Sequence, residues 1–259
     1  EYLSKGAQLM QNLKNKGLRV QSAVTNIRAT GNGTLQKVIY TAHATEIEVE
    51  AITLLLHQGV IPNVQITRQV NADHEWYAPQ RYWRPVTDGW GTTSVETLAI
   101  AGDGAGILGA EAATVAGRLA ALETAKRLGK IDEIDRDVQA GPLLREHNRL
   151  ASIRPLLDKL YYPSPDILVP TDETTVCRCE EVTAGDIRQC VEEGATGPNQ
   201  LKAYTRCGMG PCQGRMCGLT VAEVIADARG KPVDEIGYYR LRPPIKPVTL
   251  GELAAMEDA

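Results

Sequence analysis

The spacing of apolar residues changes from helical to strand-like along the first part of the chain. Residues 3–16 place apolar side chains at helical spacing, which predicts an opening helix. Residues 18–42 instead alternate between apolar and polar positions on either side of the turn sequence Gly-Asn-Gly at 31–33, which predicts a β-hairpin. A further strand is predicted over 46–57. A helix followed by strands is therefore expected at this end of the chain.

The middle of the chain changes from strand-like to helical patterns. Strand candidates at 64–70 and 81–86 lie in an irregular segment that is rich in Trp and Tyr. Long helical patterns then cover 105–127 and 138–160. The prolines between 161 and 172 predict a linker that separates these helices from the rest of the chain.

Short helices with clear start signals follow this linker. Thr183 with Asp186 and Thr220 with Glu223 have the spacing of capping boxes, in which each side chain bonds the backbone N–H of the other residue. Pro198 suits the first position of a helix, where its missing N–H has no partner to lose. The segment is therefore predicted to be a small helical module.

Charge and hydropathy exclude some classes of partner. The net charge of -4 and a pI near 5.7 argue against nucleic acid, because phosphate-backbone binding needs a basic face. The best apolar run, 51–61, is too short to span a bilayer, so no transmembrane segment is predicted. We expect a cytoplasmic protein that reaches a membrane only through a complex. The first residue is Glu1 rather than Met, which predicts a processed chain or a fragment.

The cysteines are crowded into one segment. They have the spacing Cys177-x-Cys179 and Cys207-x4-Cys212-x4-Cys217, which points to a metal in a chain without signs of secretion. These five thiols exceed the four ligands of one site, so one is expected to be spare. Two close pairs would supply a 2Fe–2S cluster, which needs two thiolates per iron, and structural zinc is the alternative. The one-residue spacer of the first pair is less usual for zinc.

Cys190 lies apart from both cysteine groups. It shares one face of the helix predicted to begin near Thr183 with Ile187 and Val191. It is therefore predicted to be a buried structural thiol and not a metal ligand.

The cysteine segment resembles a known iron–sulfur domain. The sequence CRCEEVTAGDIRQCVEEGA, followed by QLKAYTRCGMGPCQGRMC, is similar to bacterioferritin-associated ferredoxin. It is similar in particular to the form fused to the opine oxidase A subunit, the hydrogen cyanide synthase flavin subunit and the anaerobic glycerol-3-phosphate dehydrogenase large subunit. The resemblance implies a 2Fe–2S cluster held by Cys177, Cys179, Cys212 and Cys217, with Cys207 as the spare thiol.

The stretch LAIAGDGAGILGAEAA at 98–113 contains the pattern G-x-G-x-x-G at Gly104, Gly106 and Gly109. A dinucleotide-binding unit also needs a second buried strand after its helix. The sequence beyond Gly109 is helical and then charged, without a candidate for that strand. The pattern is therefore not interpreted as a Rossmann pyrophosphate site.

The same stretch resembles the second flavin motif of the pyridine nucleotide–disulfide reductase superfamily, in which a strand ends in Ala-x-Gly-Asp and a helix follows at once. The resemblance implies that Asp103 bonds the ribityl chain of FAD. It also implies that Gly102, Gly104, Ala105 and Gly106 approach the cofactor. A helix N-terminus from 104 to 106 would then direct free N–H groups at the flavin.

The resemblance to such flavoproteins covers nearly the whole chain. LLLHQGVIPN is similar to the passage from the nicotinamide domain to the FAD domain of that superfamily, and YWRPVTDGWGTTSVETLAIAGDGAGI is similar to the opine oxidase type. The implied fold is α/β, as part of a flavoprotein with two dinucleotide-binding domains, plus a small all-α 2Fe–2S domain. The implied parts are a nicotinamide-domain remnant at 1–70, the C-terminal part of an FAD domain at 71–160, the linker at 161–172, the iron–sulfur domain at 173–235 and an extended tail at 236–259.

The resemblance also implies an activity. The chain would belong to an oxidoreductase that uses FAD and a 2Fe–2S cluster to oxidise an amine, imino acid or opine-like substrate. Its partner would be a second flavoprotein subunit, with room for NAD(P) or a second flavin and for a small ferredoxin-like subunit. The true pyrophosphate motifs of the superfamily are absent from this sequence, so activity is expected to need an upstream half. No catalytic residue is predicted.

Two alternatives to this function are open at this stage. The chain could be an electron carrier or docking module without chemistry of its own. It could also be a subunit of the glycerol-3-phosphate dehydrogenase type, which shares the cysteine domain. The sequence of the flavin motif fits this second alternative less well.

Overall fold

The structure is a computed structural model that describes residues 2–256, with side chains from residue 4. The described residues form two compact units, and the division between them falls between His57 and Gln58. Both helices and strands occur, so the architecture is mixed α/β. The domain boundaries implied by the sequence remain predictions.

The first unit consists of a helix and a three-stranded antiparallel sheet. Helix α1 covers Tyr2–Asn15, and the strands are β1 (Val24–Gly31), β2 (Leu35–Ala42) and β3 (Thr45–Glu50), in the order β1-β2-β3. The opening helix and the hairpin are therefore confirmed.

Strand β3 is shorter than the predicted strand over 46–57. It ends at Glu50, where its pairing with β2 ends. The apolar side chains that follow, such as Ile52 and Leu55, are about nine-tenths exposed. A hydrophobic run forms a strand only where a partner strand is present, and beyond the bond from the Ala51 N–H to the Gln36 carbonyl none of the described residues pairs with this run.

The second unit contains many short elements. In its first half these are α2 (Gln65–Gln69), β4 (His74–Tyr77), β5 (Tyr82–Pro85), a 3₁₀ turn (Gly102–Gly104), α3 (Ala110–Arg127), α4 (Glu133–Ala151) and α5 (Arg154–Leu160). In its second half they are α6 (Pro165–Leu168), β6 (Thr175–Cys177), β7 (Val182–Thr183), α7 (Ala184–Glu192), α8 (Pro198–Thr205), α9 (Gly218–Arg229), α10 (Val233–Ile236) and α11 (Leu250–Ala254). Strands β4 and β5 pair antiparallel, as do β6 and β7.

Helices α3 and α4 pack against each other and are the next two elements after the 3₁₀ turn. The segment between them forms no strand, which confirms that the glycine pattern lacks the second strand of a Rossmann unit. The helix predicted over 138–160 is instead two helices. The break precedes Pro155, which cannot donate a backbone hydrogen bond and therefore suits the first turn of α5.

The core of the cysteine region lies between α7, α8 and α9. Fully buried Ile187, Leu201 and Val221 come from these three helices. The capping box of Thr183 and Asp186 and the first-turn position of Pro198 are confirmed. Cys190 is buried on the core face of α7, as predicted.

The second predicted capping box is wrong. Helix α9 begins at Gly218, so Thr220 and Glu223 both lie inside it. Glu223 is only 2% exposed and pairs with Arg81, which explains why an acidic residue is placed there. The residue spacing of a capping box therefore occurs here at a position where no helix begins.

Three further expectations differ from the structure. The segment predicted as a strand at 64–70 contains helix α2, in which Thr67 is buried one turn after Val64, the buried residue that precedes the helix. The tail, expected to be extended, contains α11, which begins with a capping box of Thr249 and Glu252. The cysteine region carries the small β6–β7 sheet, so it is not purely helical. No helix in residues 2–256 is long and apolar enough to cross a membrane.

Candidate functional site

Two separate segments of the chain supply the clustered cysteines. Cys177 ends strand β6, and Cys179 follows in the turn before β7. Cys207 and Cys212 lie in the loop between α8 and α9, and Cys217 is the residue before α9. The β6–β7 hairpin and this loop face each other, so residues that are thirty or more positions apart in the sequence converge.

The converging thiols form a buried group and an accessible group. The sulfurs of Cys177, Cys207 and Cys217 all lie within 4.8 Å of one another, and none of these residues is more than 2% exposed. The sulfurs of Cys179 and Cys212 lie 3.8 Å apart, and Cys179 is exposed. We call these groups the buried triad and the exposed pair.

The pKa values of Cys207 and Cys217 are displaced in opposite directions. The neighbouring Cys217 thiol lowers the pKa of Cys207 against the opposing effect of burial, and Tyr239 and Cys177 add to this lowering. The same contact, together with burial, raises the pKa of Cys217. One thiolate stabilised by adjacent S–H groups is the protonation state from which a soft metal would displace the remaining protons.

Glycines allow the loop to approach the first cysteine segment. A Cβ atom added at Gly210 would lie 2.2 Å from the Cβ of Cys179, and one added at Gly214 would lie 2.7 Å from the ring of Tyr239. No real Cβ atom tolerates such distances, so these positions require glycine. Gly210 therefore lets the loop approach Cys179, and Gly214 lets it approach the ring of Tyr239.

The donor set determines which metals fit. Thiolates favour zinc and iron–sulfur clusters over Mg²⁺ or Ca²⁺, which prefer oxygen ligands. A pair of thiols next to a triad can supply two thiolates to each of two irons, with one thiol left over. The residues present therefore fit a 2Fe–2S cluster, and they also fit a four-thiolate zinc site.

The four predicted ligands Cys177, Cys179, Cys212 and Cys217 all lie in this group of thiols. Cys207, which was predicted to be the spare thiol, lies in the buried triad together with Cys177 and Cys217. Sequence spacing gave no signal for this, because the position of Cys207 depends on the turn after α8. The choice of four ligands among the five stays a prediction.

A second candidate site surrounds Asp103. This exposed residue lies in the 3₁₀ turn Gly102–Gly104, at the wall of a cavity of about 390 Å³. Gly102, Ala105 and Gly106 also line the cavity, whereas Gly104 lies in the same turn and faces Ile100. The volume is within the range of small-molecule sites.

The expected helix N-terminus at 104–106 is wrong. Helix α3 begins only at Ala110, after an irregular segment, because Gly106 and Gly109 both adopt positive φ angles that interrupt the helix. The backbone N–H of Ile107 is instead bonded to the Tyr82 hydroxyl, at 3.2 Å. The helix dipole therefore begins further from Asp103 than the motif implied.

The rest of the cavity wall combines aromatic and cationic groups. Sequence reasoning gave no binding role to Arg84, Trp90, His147 or Arg154, which all line it. Arg84 stacks on the ring of Tyr77 at 4.4 Å and pairs with Glu75. The concentration of aromatic residues between 76 and 90 was the available signal, since aromatic rings are common in ligand cavities.

Comparison with known proteins places these sites in context. Residues 171–257 match the family described as the sarcosine oxidase A3 domain. The chain is 42% identical to the A subunit of opine oxidase from Rhizobium meliloti over 98% of its own length and 48% of that protein. It is 30% identical to hydrogen cyanide synthase subunit HcnB of Pseudomonas aeruginosa, over 94% of this chain and 54% of the relative. The chain therefore spans about half the length of the curated relatives it matches.

A solved structure has a similar fold. The crystal structure of L-proline dehydrogenase from P. horikoshii matches with a TM-score of 0.71 and 22% sequence identity, over 96% of this chain and 48% of the other. At this level of identity the match concerns the fold. The chain thus shares the fold of part of that dehydrogenase chain, and its sequence is similar over nearly its whole length to the A subunit of opine oxidase.

Proposed function

We propose that this chain is the electron-transferring part of a multi-subunit oxidoreductase that uses FAD and a 2Fe–2S cluster. The substrate class would be an amine, imino acid or opine-like compound, oxidised at its C–N bond. The observation that carries the proposal is the convergence of the buried triad and the exposed pair from two segments of the chain.

The cluster would be held by the four predicted cysteines. In this assignment the exposed pair, Cys179 and Cys212, binds one iron, and Cys177 and Cys217 of the buried triad bind the other. Cys207 would remain a thiol beside the site. A bound 2Fe–2S cluster supplies one-electron transfer, and the exposed pair leaves one side of the site open to an electron donor or acceptor.

The flavin would occupy the cavity at Asp103. The exposed carboxylate has no hydrogen-bond partner in the described chain, so it is free to accept hydrogen bonds from a ribityl chain. Arg84 and Trp90 would contribute a cation and an aromatic face to the same cavity. Part of an FAD molecule would fill about 390 Å³, and the remainder would contact protein outside this cavity.

A partner protein completes the proposal. The opine oxidase relative and HcnB are both named as subunits, which supports a heteromeric enzyme. We propose that the partner is a second flavoprotein that oxidises the substrate, with NAD(P) or a second flavin and a small ferredoxin-like subunit as further components. The near-complete coverage of this chain by the opine oxidase relative favours this class over a glycerol-3-phosphate dehydrogenase type.

The decisive experiment is a cofactor inventory of the chain purified without oxygen. We expect about two iron and two acid-labile sulfide per chain, with flavin absorbance near ~450 nm after incubation with FAD. Iron and sulfide without flavin would instead support an electron carrier alone. One zinc per chain in place of iron would contradict the redox proposal.

A further inference from the structure

A second cavity, which adjoins the cysteine loop at the ring of Tyr239, is lined by cations. Its volume is about 620 Å³, and it lies among α2, α8 and the segment after α10. Its cationic lining residues are Arg68, Lys202, Arg240 and Arg242. None of the described residues that line it is acidic, although the whole chain carries a net charge of -4. Positive charge is therefore concentrated at this cavity although the chain as a whole is negatively charged.

Arg68 of α2 is the most constrained of these cations. Its guanidinium lies between two aromatic rings, 5.0 Å from the centroid of Trp83 and 4.6 Å from that of Tyr238. Its Nε and one of its terminal nitrogens are buried and have no hydrogen-bond partner among the described residues. Burial lowers the pKa of Arg68 to about 10, so the group is still charged at neutral pH. An arginine held in this way lacks a counter-charge.

The neighbouring Lys202 also lacks a counter-charge among the described residues. The Lys202 ammonium donates to the backbone carbonyl of Arg240 at 3.1 Å and forms no ion pair within residues 4–256. Burial, and then repulsion from Arg242 and Arg240, lower the pKa of Lys202. An ammonium that is surrounded by like charge and bonded to a carbonyl gains most from an added anion.

The backbone that carries these cations is fixed. The Asn199 side chain donates to the carbonyl of Tyr238 at 3.2 Å and accepts from the N–H of Arg240 at 2.8 Å. These two bonds join α8 to the segment after α10. His74, which also lines the cavity, is bonded to Thr67 and to the carbonyl of Ala72. Burial and the charge of Arg68 lower the pKa of His74 to about 4, so it adds no charge of its own. The cavity therefore has two cations held by their contacts, Arg68 and Lys202, and two exposed arginines, Arg240 and Arg242, at its edge.

We propose that this cavity binds a phosphate-class anion, either free phosphate or the phosphate group of a small monoester. The fork of an arginine matches phosphate oxygens in pairs, and a lysine adds a compact point charge. A buried guanidinium with unsatisfied N–H groups destabilises the protein until an anion neutralises it. A dianion fits several convergent cations better than a single carboxylate does, because each oxygen can be shared between donors.

Binding of inorganic phosphate to the full chain tests the proposal. Calorimetric titration with phosphate, at an ionic strength matched with sodium chloride, is expected to be saturable, and phosphate should raise the Tm above the chloride control. The Arg68→Gln variant should raise the Kd for phosphate at least about tenfold, and Lys202→Gln should raise it several-fold. Lys231→Gln, which removes an exposed lysine paired with Glu235 outside the cavity, should leave the Kd unchanged.

Phenyl phosphate distinguishes the two sources of the anion. A phenyl phosphate Kd at least about tenfold below that of phosphate would identify a monoester site, because the ring would add contacts with Tyr238. Equal or weaker binding would identify a site for the free anion. Phosphate that stabilises the protein no more than chloride does would overturn the proposal, and so would full binding by Lys202→Gln and Arg242→Gln. These two variants decide the question if Arg68→Gln does not fold.

Discussion

Arg81 and Glu223 form an ion pair that joins the β4–β5 turn to helix α9. The Arg81 Nε donates to Glu223 Oε1 at 2.7 Å, and a second guanidinium nitrogen donates to the other carboxylate oxygen. Glu223 is 2% exposed, and α9 begins directly after Cys217. The pair therefore ties the aromatic hairpin beside the Asp103 cavity to the helix that follows the buried triad.

Loss of this pair should destabilise the second unit. Glu223→Gln leaves the partly buried Arg81 without its counter-charge, and we expect the free energy of unfolding to fall by about 3 kcal/mol. Glu235→Gln, which breaks an exposed pair with Lys231, should lower it by less than about 1 kcal/mol. Urea denaturation of both variants measures the difference. Equal effects would show that the buried pair is no stronger than a surface pair.

Substitution of single cysteines tests the ligand assignment. Cys212→Ser should abolish the cluster because it leaves the exposed pair with one thiol, whereas Cys207→Ser should keep most of it. Cys190→Ser, outside the site, is the control for the general effect of losing a thiol. Iron and sulfide content, together with the electron paramagnetic resonance signal after reduction, report the result. The reverse order for Cys207 and Cys212 would show that the third ligand was assigned incorrectly.

Removal of the Asp103 carboxylate should weaken flavin retention. Asp103→Ala would lose hydrogen bonds to the ribityl chain, and we expect the Kd for FAD to rise about tenfold, as for one charged hydrogen bond of ~1.5 kcal/mol. Glu111→Ala removes an exposed carboxylate from the first turn of α3, outside the cavity, and should have little effect. Flavin fluorescence titration measures both constants. Equal Kd values for Asp103→Ala and the unmodified chain would remove Asp103 from the flavin site.

Glu123 should make stability depend on pH in the acid range. Burial raises the pKa of this carboxyl, but hydrogen bonds from Arg127, Arg136 and Lys126 outweigh it and lower the pKa to about 2. The unfolded chain binds the proton first as the pH falls, so the stabilisation present above about pH 4.5 is lost towards pH 2.

The stability difference between pH 5 and pH 3 measures this contribution. Because of Glu123 alone, we expect about 2 kcal/mol to be lost over this interval, and Glu123→Gln should remove that part of the loss. Urea denaturation of both proteins at the two pH values isolates the contribution from that of other carboxylates. Parallel losses in the two proteins would contradict the assignment.

Glycine substitutions test the close approach of the cysteine segments. Gly210→Ala would place a methyl group 2.2 Å from the Cβ of Cys179, so the loop must shift and cluster content should fall. Gly141→Ala, inside α4 and in open space except for the far end of Arg145, should instead raise the free energy of unfolding by about 0.5 to 1 kcal/mol. Metal analysis and thermal unfolding distinguish the two effects. Full cluster content in Gly210→Ala would show that the loop tolerates the displacement.

Local patterns predicted the parts of this fold that depend on neighbours in the sequence. The β1–β2 hairpin, the cap at Thr183 and the buried Cys190 follow from turn chemistry and periodicity. The start of α9 could not be predicted in the same way. Glu223 looked like a capping residue, although its partner Arg81 lies 142 positions earlier.

The candidate sites, too, could be predicted only where they depend on neighbours in the sequence. The crowding of cysteines was visible in the sequence, but the division into triad and pair depends on the packing of the β6–β7 turn against the loop before α9. The cations of the second cavity come from positions 68, 202, 240 and 242, which no spacing rule connects. Long-range packing brings these groups together, so single-sequence reasoning had no basis for predicting them.

The unequal division of the thiols has an evolutionary consequence. In the proposed ligand assignment, the three sulfurs of the buried triad include one reserve ligand, Cys207, and the exposed pair includes none. A substitution at Cys177 could be compensated by Cys207 moving into its place, whereas Cys179 and Cys212 have no substitute nearby in the described chain. Substitutions of cysteine are therefore expected to be tolerated more readily in the buried triad than in the exposed pair, and sequences should vary in the triad first during evolution.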